Sequence, residues 1–409
     1  MNEREAGVSS RSPDDPVVIG EADRRNAISR FIKPMLTLGA ILAMLIAAAP
    51  ACARTFVYVS SAIDGDIDSY AMDADSGQLT PLGKIAAGRL VMPMTTSPDH
   101  RHLYAVVRTK PPAVLTYDID PQSGKLDQRA SAPLPDTMDY VSTDAAGRFL
   151  FTASYDEGKI AVSPIEPDAR VRKDAIQVVP IGKNAHAIRA DASNRFVYAT
   201  DLGSNQILQF RFDAATGKLT ANEPALVKAP PDNGPRHLVF SPDDRYLYVL
   251  NEMSGNVAQF AIDPASGALR EIAYTGSVPP DSGLQTGRAY DPKAAVQPPH
   301  DDTPRIWCAD VQITPNGKFI YTTERRRSRI SLMRVATDSG RLSYVTDYAT
   351  EAQPRGIRVD ASGRFLVASG ERSDRLSVYR IDQGDGRLAL VGRYPVGHDA
   401  NWVEIVSLP

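Results

Sequence analysis

Residues 241–250 have the sequence SPDDRYLYVL, in which a polar turn is followed by Arg245 and then by a short run of aromatic and branched apolar residues. Ser, Pro and Asp are typical of tight turns. Tyr, Leu and Val in a run of five are typical of a buried strand. The segment therefore predicts a turn that leads into a β-strand.

The same pattern of turn, basic residue and apolar run occurs seven times. The basic residues that open the copies are Arg54, Arg101, Arg148, Arg195, Arg245, Lys318 and Arg364. Successive copies are 46 to 50 residues apart, except for one step of 73 residues after Arg245. A second motif, such as DADSGQL at 73–79, follows in most copies and places Gly where a hairpin turn needs a positive φ.

Each unit contains four short runs that are rich in Val, Ile, Tyr and Phe, and no unit shows the 3.6-residue period of a helix. Four strands in a repeat of this length are typical of a propeller blade. The sequence predicts an all-β fold, a seven-bladed β-propeller over 54–409. The segment NWVEIVS at 401–407 follows the last unit, and Arg54 begins inside a blade. We therefore expect the C-terminal strand to complete the first blade and close the ring, which removes an exposed edge.

Residues 1–53 have the composition of a leader. A basic block at 24–33 precedes an uncharged segment at 34–53, which ends in Ala-Cys-Ala. These are the three parts of a secretory signal peptide, so we expect a periplasmic or secreted protein. An uncleaved membrane anchor at 34–53, a twin-arginine signal at Arg24-Arg25 and a lipoprotein cysteine at Cys52 are the alternatives.

Composition excludes several classes of protein. Of the 409 residues, 43% are hydrophobic and 23% are charged, which is typical of a globular chain. The net charge of −3 gives no support for binding to nucleic acid. Two cysteines exclude a disulfide framework and a zinc site built on cysteine pairs. The six histidines lack a metal-binding spacing, and the adjacent residues His300, Asp301 and Asp302 present no common ligand face, so we expect neither a metal nor another cofactor.

The repeat predicts which residues meet at one end of the channel. The two innermost strands of a blade are antiparallel, so the start of the first and the end of the second lie at the same face, here called the mouth. The first ring of inner-strand positions is Met92, Met138, His186, Arg236, Ala309, Arg355 and Asn401. The ring below it is Pro93, Asp139, Ala187, His237, Asp310, Gly356 and Trp402. The second strands end at Ser61, Arg108, Tyr155, Leu202, Glu252, Arg325 and Glu371.

The charged members of these rings predict a binding site at the mouth, since a pocket needs a few convergent polar groups. Four arginines suit a carboxylate or a phosphate, which they can bind in bidentate fashion. Ion pairs between solvated strand ends are the alternative. Because side chains alternate along a strand, only one of Arg236 and His237 is expected to face the channel, and the sequence leaves open which one. The Pro-rich insertion at 277–305 lies on the same face and is either a lid or a mobile loop.

Four segments, at 233–252, 309–325, 353–371 and 392–405, resemble the lactonase family of seven-bladed propellers. This family includes the propeller type of 6-phosphogluconolactonase and carboxy-muconate lactonizing enzyme. The resemblance covers essentially all of 54–409, and the leader and the insertion are departures from it. It implies a metal-free site of His, Arg and Glu, which corresponds to His186, Arg236 and Glu252 here. Arg325 is the match for a further arginine, with Arg355 as the alternative.

Two classes of function follow. The first is a lactone hydrolase that acts on a sugar or related anionic lactone. Arg236 and Arg325 would hold the anionic group and polarise the carbonyl, and His186 or Glu252 would be the general base. The remaining candidates for substrate binding are Arg355, His237, Arg108, Asp310 and Glu371. A muconate cycloisomerase, the alternative within this class, would use the same residues. The second class is a non-catalytic, extracytoplasmic propeller that binds a ligand or acts as a scaffold.

Overall fold

The computed structural model describes residues 54–290 and 302–408. Within them, 28 strands form seven antiparallel sheets of four strands each, and Pro280–Ser282 forms one turn of 3₁₀ helix. The inner strands contact one another in cyclic order, so the sheets are the blades of a closed ring. The prediction of a seven-bladed β-propeller is confirmed.

The blades follow one another along the chain. Blade 1 contains β1 (Arg54–Ser61), β2 (Asp66–Met72) and β3 (Leu79–Ala86), and blade 2 contains β4 (Val91–Thr96), β5 (His102–Val107), β6 (Ala113–Ile119) and β7 (Leu126–Pro133). Blade 3 contains β8 (Tyr140–Thr143), β9 (Phe149–Ser154), β10 (Lys159–Pro164) and β11 (Gln177–Pro180). Blade 4 contains β12 (Ala185–Ala190), β13 (Phe196–Asp201), β14 (Gln206–Asp213) and β15 (Lys218–Lys228). Blade 5 contains β16 (Pro235–Phe240), β17 (Tyr246–Asn251), β18 (Asn256–Ile262) and β19 (Leu269–Gly276). Blade 6 contains β20 (Cys308–Ile313), β21 (Phe319–Glu324), β22 (Arg329–Val335) and β23 (Leu342–Ala349). Blade 7 contains β24 (Pro354–Val359), β25 (Phe365–Gly370), β26 (Arg375–Ile381) and β27 (Leu388–Pro395).

The last strand, β28 (Ala400–Leu408), is the inner strand of blade 1. It pairs antiparallel with β1, from Arg54 opposite Leu408 to Ser61 opposite Ala400. The first and last parts of the propeller are therefore joined by backbone hydrogen bonds, which confirms the predicted closure by the C-terminal strand.

The two repeated sequence motifs contact each other across neighbouring blades. The Tyr58 hydroxyl on β1 donates to the carbonyl of Gly124 in a hairpin turn of blade 2, at 2.8 Å. Gly124 has a φ of +67°, and a Cβ there would lie 2.2 Å from the ring of Phe56. The same tyrosine-to-glycine bond recurs at Tyr198, Tyr248 and Tyr321. The basic-aromatic strand and the glycine turn recur together because each holds the other in place.

The connection between β19 and β20 contains the insertion that the 73-residue spacing of the repeats predicts. Its described part is held by a β-bridge between Gln285 and Arg305 and by a hydrogen bond from the Gly287 amide to the Met253 carbonyl. The leader at 1–53 and the histidine at position 300 lie outside the described residues. In the part of the chain that the structure describes, no helix has the length and apolar character needed to cross a membrane.

Candidate active site

A β-bulge at the start of the inner strand decides where Arg236 and His237 lie. The pairing of β16 with β17 shifts between Pro235 and Leu238, so both ring residues fall within the irregular part. His237 lines the channel. Arg236 is 1% exposed and lies between blades 5 and 6, where its Nη1 donates to the Ala309 carbonyl. The structure thus answers the question that the sequence left open, and His237 is the residue that faces the channel.

Arg236, Glu252 and Arg325 form a buried charge network, called here the arginine–glutamate network. Glu252 follows the end of β17, and its Oε2 accepts from Arg236 Nε at 2.8 Å and from Arg325 Nη2 at 2.9 Å. Arg325 also donates to the Trp307 and Cys308 carbonyls, and its guanidinium lies 3.8 Å from the centroid of the Trp307 ring. The two arginines share one carboxylate, so the network carries one net positive charge.

The other two predicted arginines of the mouth are also paired. Arg355 Nη1 donates to Glu371 Oε1 at 3.3 Å, and Arg108 Nη2 lies 2.9 Å from Asp139 Oδ1. Burial raises the pKa of Glu371, but Arg355 and Arg325 outweigh it, and the net shift is downward. Burial raises the pKa of Asp139, and Arg108 only partly opposes it. The Nε atoms of Arg355 and Arg108 are buried and have no hydrogen-bond partner among the described residues.

His186 is the predicted site residue best placed to take a proton. Its side chain is buried on β12, and its Nδ1 has no hydrogen-bond partner within the described chain. Burial, with the nearby charge of Arg236, lowers the pKa of His186 well below its ordinary value. The imidazole is therefore neutral at pH 7. A neutral imidazole whose ring nitrogen has no hydrogen-bond partner can accept a proton.

His237 and Asp310 form a second pair, deeper in the channel. His237 Nδ1 lies 2.8 Å from Asp310 Oδ1, and Asp310 also accepts from the amides of Val311 and Ile357. Burial and the charge of Arg236 lower the pKa of His237 to about 4. The fixed carboxylate orients the ring of His237, and the distance between the His186 and His237 centroids is 5.1 Å.

Three side-chain rings pack together in the channel, next to His186 of the mouth. His237, Tyr140 and Trp402 pack edge to face, with centroids 5.2 to 5.7 Å apart. We call them the aromatic plug. The sequence placed His237 and Trp402 in one ring but gave no sign of Tyr140, because it lies one position beyond the ring residue of blade 3.

The described part of the insertion reaches the mouth. The Tyr155 hydroxyl of blade 3 donates to the Tyr290 carbonyl at 2.9 Å, and the Tyr155 ring is 5.8 Å from His186. Gln353, which donates to Glu371, and Trp307, which stacks on Arg325, are further members that the sequence did not single out. Both lie outside the repeat positions, so only their contacts reveal them. Within residues 54–290 and 302–408, no group of three or more His, Cys, Asp or Glu side chains is arranged to hold a metal ion.

Comparisons with known proteins agree with this architecture. Residues 56–405 match the family model described as lactonase, 7-bladed beta-propeller. The chain belongs to the lactonase family of seven-bladed propellers. A 6-phosphogluconolactonase of Pectobacterium carotovorum subsp. carotovorum is 36% identical over 352 residues, which are 86% of this chain and 98% of that relative. A 6-phosphogluconolactonase of Serratia proteamaculans is 35% identical over 362 residues, 87% of this chain and 99% of the relative.

A solved structure is similar along nearly the whole propeller. The periplasmic gluconolactonase of Pseudomonas aeruginosa superposes with a TM-score of 0.73 and 25% identity, and the match covers 87% of this chain and 99% of that one. The resemblance inferred from the four segments is confirmed. The residues that a lactonase-family site would use here, His186, Arg236 and Glu252, lie together at one end of the channel, and Arg325 joins them through Glu252.

Proposed function

We propose that this protein hydrolyses a sugar lactone at the mouth of its channel. The observation that carries the proposal is the arginine–glutamate network beside a neutral His186, in a chain 36% identical along its propeller to a 6-phosphogluconolactonase. A lactone hydrolase needs a base for water and positive charge near the carbonyl oxygen. The mouth contains both.

We assign the base to His186 and a holding role to Glu252. The Oε2 of Glu252 already accepts two arginine N–H groups, whereas the buried Nδ1 of His186 has no hydrogen-bond partner among the described residues. In the proposed step, water attacks the lactone carbonyl carbon while its proton passes to His186. The C–O bond of the ring then breaks, and the ring oxygen leaves as a hydroxyl by taking that proton from His186, which returns to its neutral form. These roles call for no metal ion.

Arg355 is our choice for the residue that contacts the carbonyl oxygen. Its side chain is 11% exposed and its Nε has no partner among the described residues. Arg325 is 3% exposed, and its N–H groups already bind Glu252 and two carbonyls. These contacts support Arg355, the alternative from the sequence, over Arg325. Arg325 and Arg236 would then act as the fixed positive charge behind the site.

The charge of the mouth bears on the substrate. Arg355 and Arg108 each have a carboxylate partner, and the arginine–glutamate network has one positive charge in excess. One excess charge fits a neutral lactone or one with a single carboxylate better than a phosphate dianion. We therefore keep an anionic lactone as a proposal but limit it to one negative charge.

The test is a hydrolysis assay with the purified protein on D-glucono-1,5-lactone, 6-phospho-D-glucono-1,5-lactone and D-glucuronolactone, corrected for spontaneous hydrolysis. We expect His186→Gln to lower kcat by about 100-fold or more, the usual range for a general base. His102→Gln is the matched control. His102 lies at the start of β5, at the end of the strand away from the mouth, and pairs with Asp118 on β6. Wild-type kinetics in His186→Gln would overturn the assignment. Binding of a lactone without turnover would favour the non-catalytic module.

We also propose that the protein is exported and that the leader is removed near Arg54. The signal-like pattern at 34–53 supports this, as does the similarity to a periplasmic gluconolactonase. N-terminal sequencing of protein from the cell envelope should begin at or next to Arg54. A full leader in the membrane fraction would favour the anchor, and a full leader in the cytosol would contradict export.

A further inference from the structure

The channel has a cavity at the end opposite the mouth. It has a volume of about 460 Å³ and lies between the far ends of the inner strands and the turns that follow them. We call it the chamber, and the side chains that matter in it are Tyr140, Arg189, Gln312, Arg358, Trp402 and Glu404. The three rings of the aromatic plug line it, whereas His186 and the arginines and glutamate to which we assign roles in lactone hydrolysis do not.

The chamber has fixed polar groups. Glu404 is 2% exposed, and its two oxygens accept from Arg358 Nη2 at 2.7 Å and from Trp402 Nε1 at 3.1 Å. These bonds hold the Trp402 indole in place. A volume of this size is typical of sites for small ligands, about 300–1,000 Å³.

Other polar groups of the chamber have donors and acceptors to spare. Arg189 makes one hydrogen bond, from Nη1 to the Leu238 carbonyl at 3.3 Å. The Gln312 amide and the Tyr140 hydroxyl make no hydrogen bond to any described residue, although both line the cavity. His237 also lines it and is 4% exposed, and its buried Nε2 has no partner in the described chain. A buried polar atom without a partner is costly, so this one calls for a ligand or water.

The charges of the chamber favour a neutral ligand. Arg189 and Arg358 are balanced by Glu404 and Asp310. Three further carboxylates also line it, and of these Asp144 and Asp191 are buried while Asp244 is partly exposed. An anion in the cavity would lie near these carboxylates and would have to compete with Glu404 for Arg358. A neutral molecule with many hydroxyl groups meets no such barrier, and each hydroxyl can both donate and accept.

We propose that the chamber binds a neutral monosaccharide. The apolar face of the sugar would lie on the Trp402 and Tyr140 rings, and its hydroxyl groups would bond to Arg189, Gln312 and the Tyr140 hydroxyl. Aromatic rings with a polar edge suit a ligand that has one apolar face and a polar rim. The site does not depend on lactone hydrolysis at the mouth.

The chain has two tryptophans, and they lie in different places, which provides the test. Trp402 contacts the chamber, and Trp307 stacks on Arg325 at the mouth. In a Trp307→Phe variant, emission reports on Trp402 alone, and in a Trp402→Phe variant on Trp307 alone. We expect D-glucose to change the emission of the Trp307→Phe protein in a saturable way. Arg189→Gln and Gln312→Ala in that background should each weaken the apparent Kd by about fivefold, the usual loss for one hydrogen bond.

Arg211→Gln is the matched control, since Arg211 is exposed on β14 of the same blade as Arg189 and should leave the Kd unchanged. No saturable change in Trp402 emission up to about 100 mM D-glucose, a weak-binding limit, would overturn the proposal. So would a response only in the Trp402→Phe protein, or tighter binding of D-gluconate than of D-glucose. If Trp307→Phe does not fold, saturation-transfer NMR with D-glucose on the wild type, Arg189→Gln and Arg211→Gln decides the same question.

Discussion

The arginine–glutamate network makes Glu252→Gln the most informative change for stability. Both arginines donate to the same atom, Glu252 Oε2, so a glutamine can place its carbonyl there and keep both hydrogen bonds. What it loses is the negative charge between two buried guanidinium groups that are 1% and 3% exposed. Breaking a buried ion pair costs about 3–5 kcal/mol. Because the hydrogen bonds remain, we expect the free energy of unfolding to fall by an amount near the lower end of this range, about 3 kcal/mol.

Thermal unfolding followed by circular dichroism measures this loss. Unfolding entropy of about 2 cal/mol/K per residue gives roughly 0.75 kcal/mol per degree for a propeller of this length, so Tm should fall by about 4 °C. Glu371→Gln is the comparison, because its pair with Arg355 is more exposed, at 14% and 11%, and has a single hydrogen bond of 3.3 Å. We expect a smaller Tm shift there, about 1 °C, since the pair is joined by one long hydrogen bond and a hydrogen bond contributes about 1 kcal/mol. Equal shifts in the two variants would refute the view that burial of the shared carboxylate sets the cost.

Three further predictions concern activity, pH and closure. Arg236→Lys keeps the charge but loses the planar fork, so it should lower kcat/KM on the accepted lactone by about tenfold. Because the buried bonds to Glu252 and the Ala309 carbonyl are disturbed, Tm should fall at least as far as in Glu252→Gln, and unchanged kinetics in the folded variant would remove Arg236 from the site. His237, with a folded pKa of about 4, stays neutral while the unfolded chain takes a proton below pH 6.5, so stability falls as pH falls from 6.5 to 4. His237→Asn should reduce the slope of unfolding free energy against pH in that window by about 1.4 kcal/mol per unit, and parallel curves from urea titrations would contradict this. Removal of the last ten residues, which include β28, should leave β1 with an open edge and cause aggregation in size-exclusion chromatography; a monomeric, folded product would count against closure by that strand.

The fold could be predicted because the same local preferences occur seven times. A single turn such as Ser241-Pro242 would suggest only a hairpin, but seven copies at nearly equal spacing leave a ring of blades as the natural arrangement. The closure of blade 1 followed from a strand pattern at 401–407 that has no unit after it. The contact of Gly124 with Phe56 could not be predicted, since it joins two motifs of different blades.

The sequence could predict which residues lie at the mouth, but not which side chains contact each other there. Ring counting brought His186, Arg236, Glu252 and Arg325 to one end, where the structure also places them. It could not show that Arg236 turns toward blade 6, since the bulge between Pro235 and Leu238 breaks the alternation from which side-chain direction is inferred. Nor could it show which carboxylate two arginines share, because that depends on distances between blades.

The repeat also supplies an internal comparison that bears on function. The positions equivalent to Arg236 in blades 2, 3 and 6 are Met92, Met138 and Ala309, and all three are buried. The position equivalent to Glu252 in blade 4 is Leu202, also buried. Each of those blades has an apolar residue at the position named for it, so a charge at that position is not a requirement of the propeller. Since a buried ion pair is often no more stabilising than well-packed apolar residues, packing alone does not account for two arginines and a glutamate at the contact of blades 5 and 6. A ligand that uses their positive charge gives a reason for them to be there.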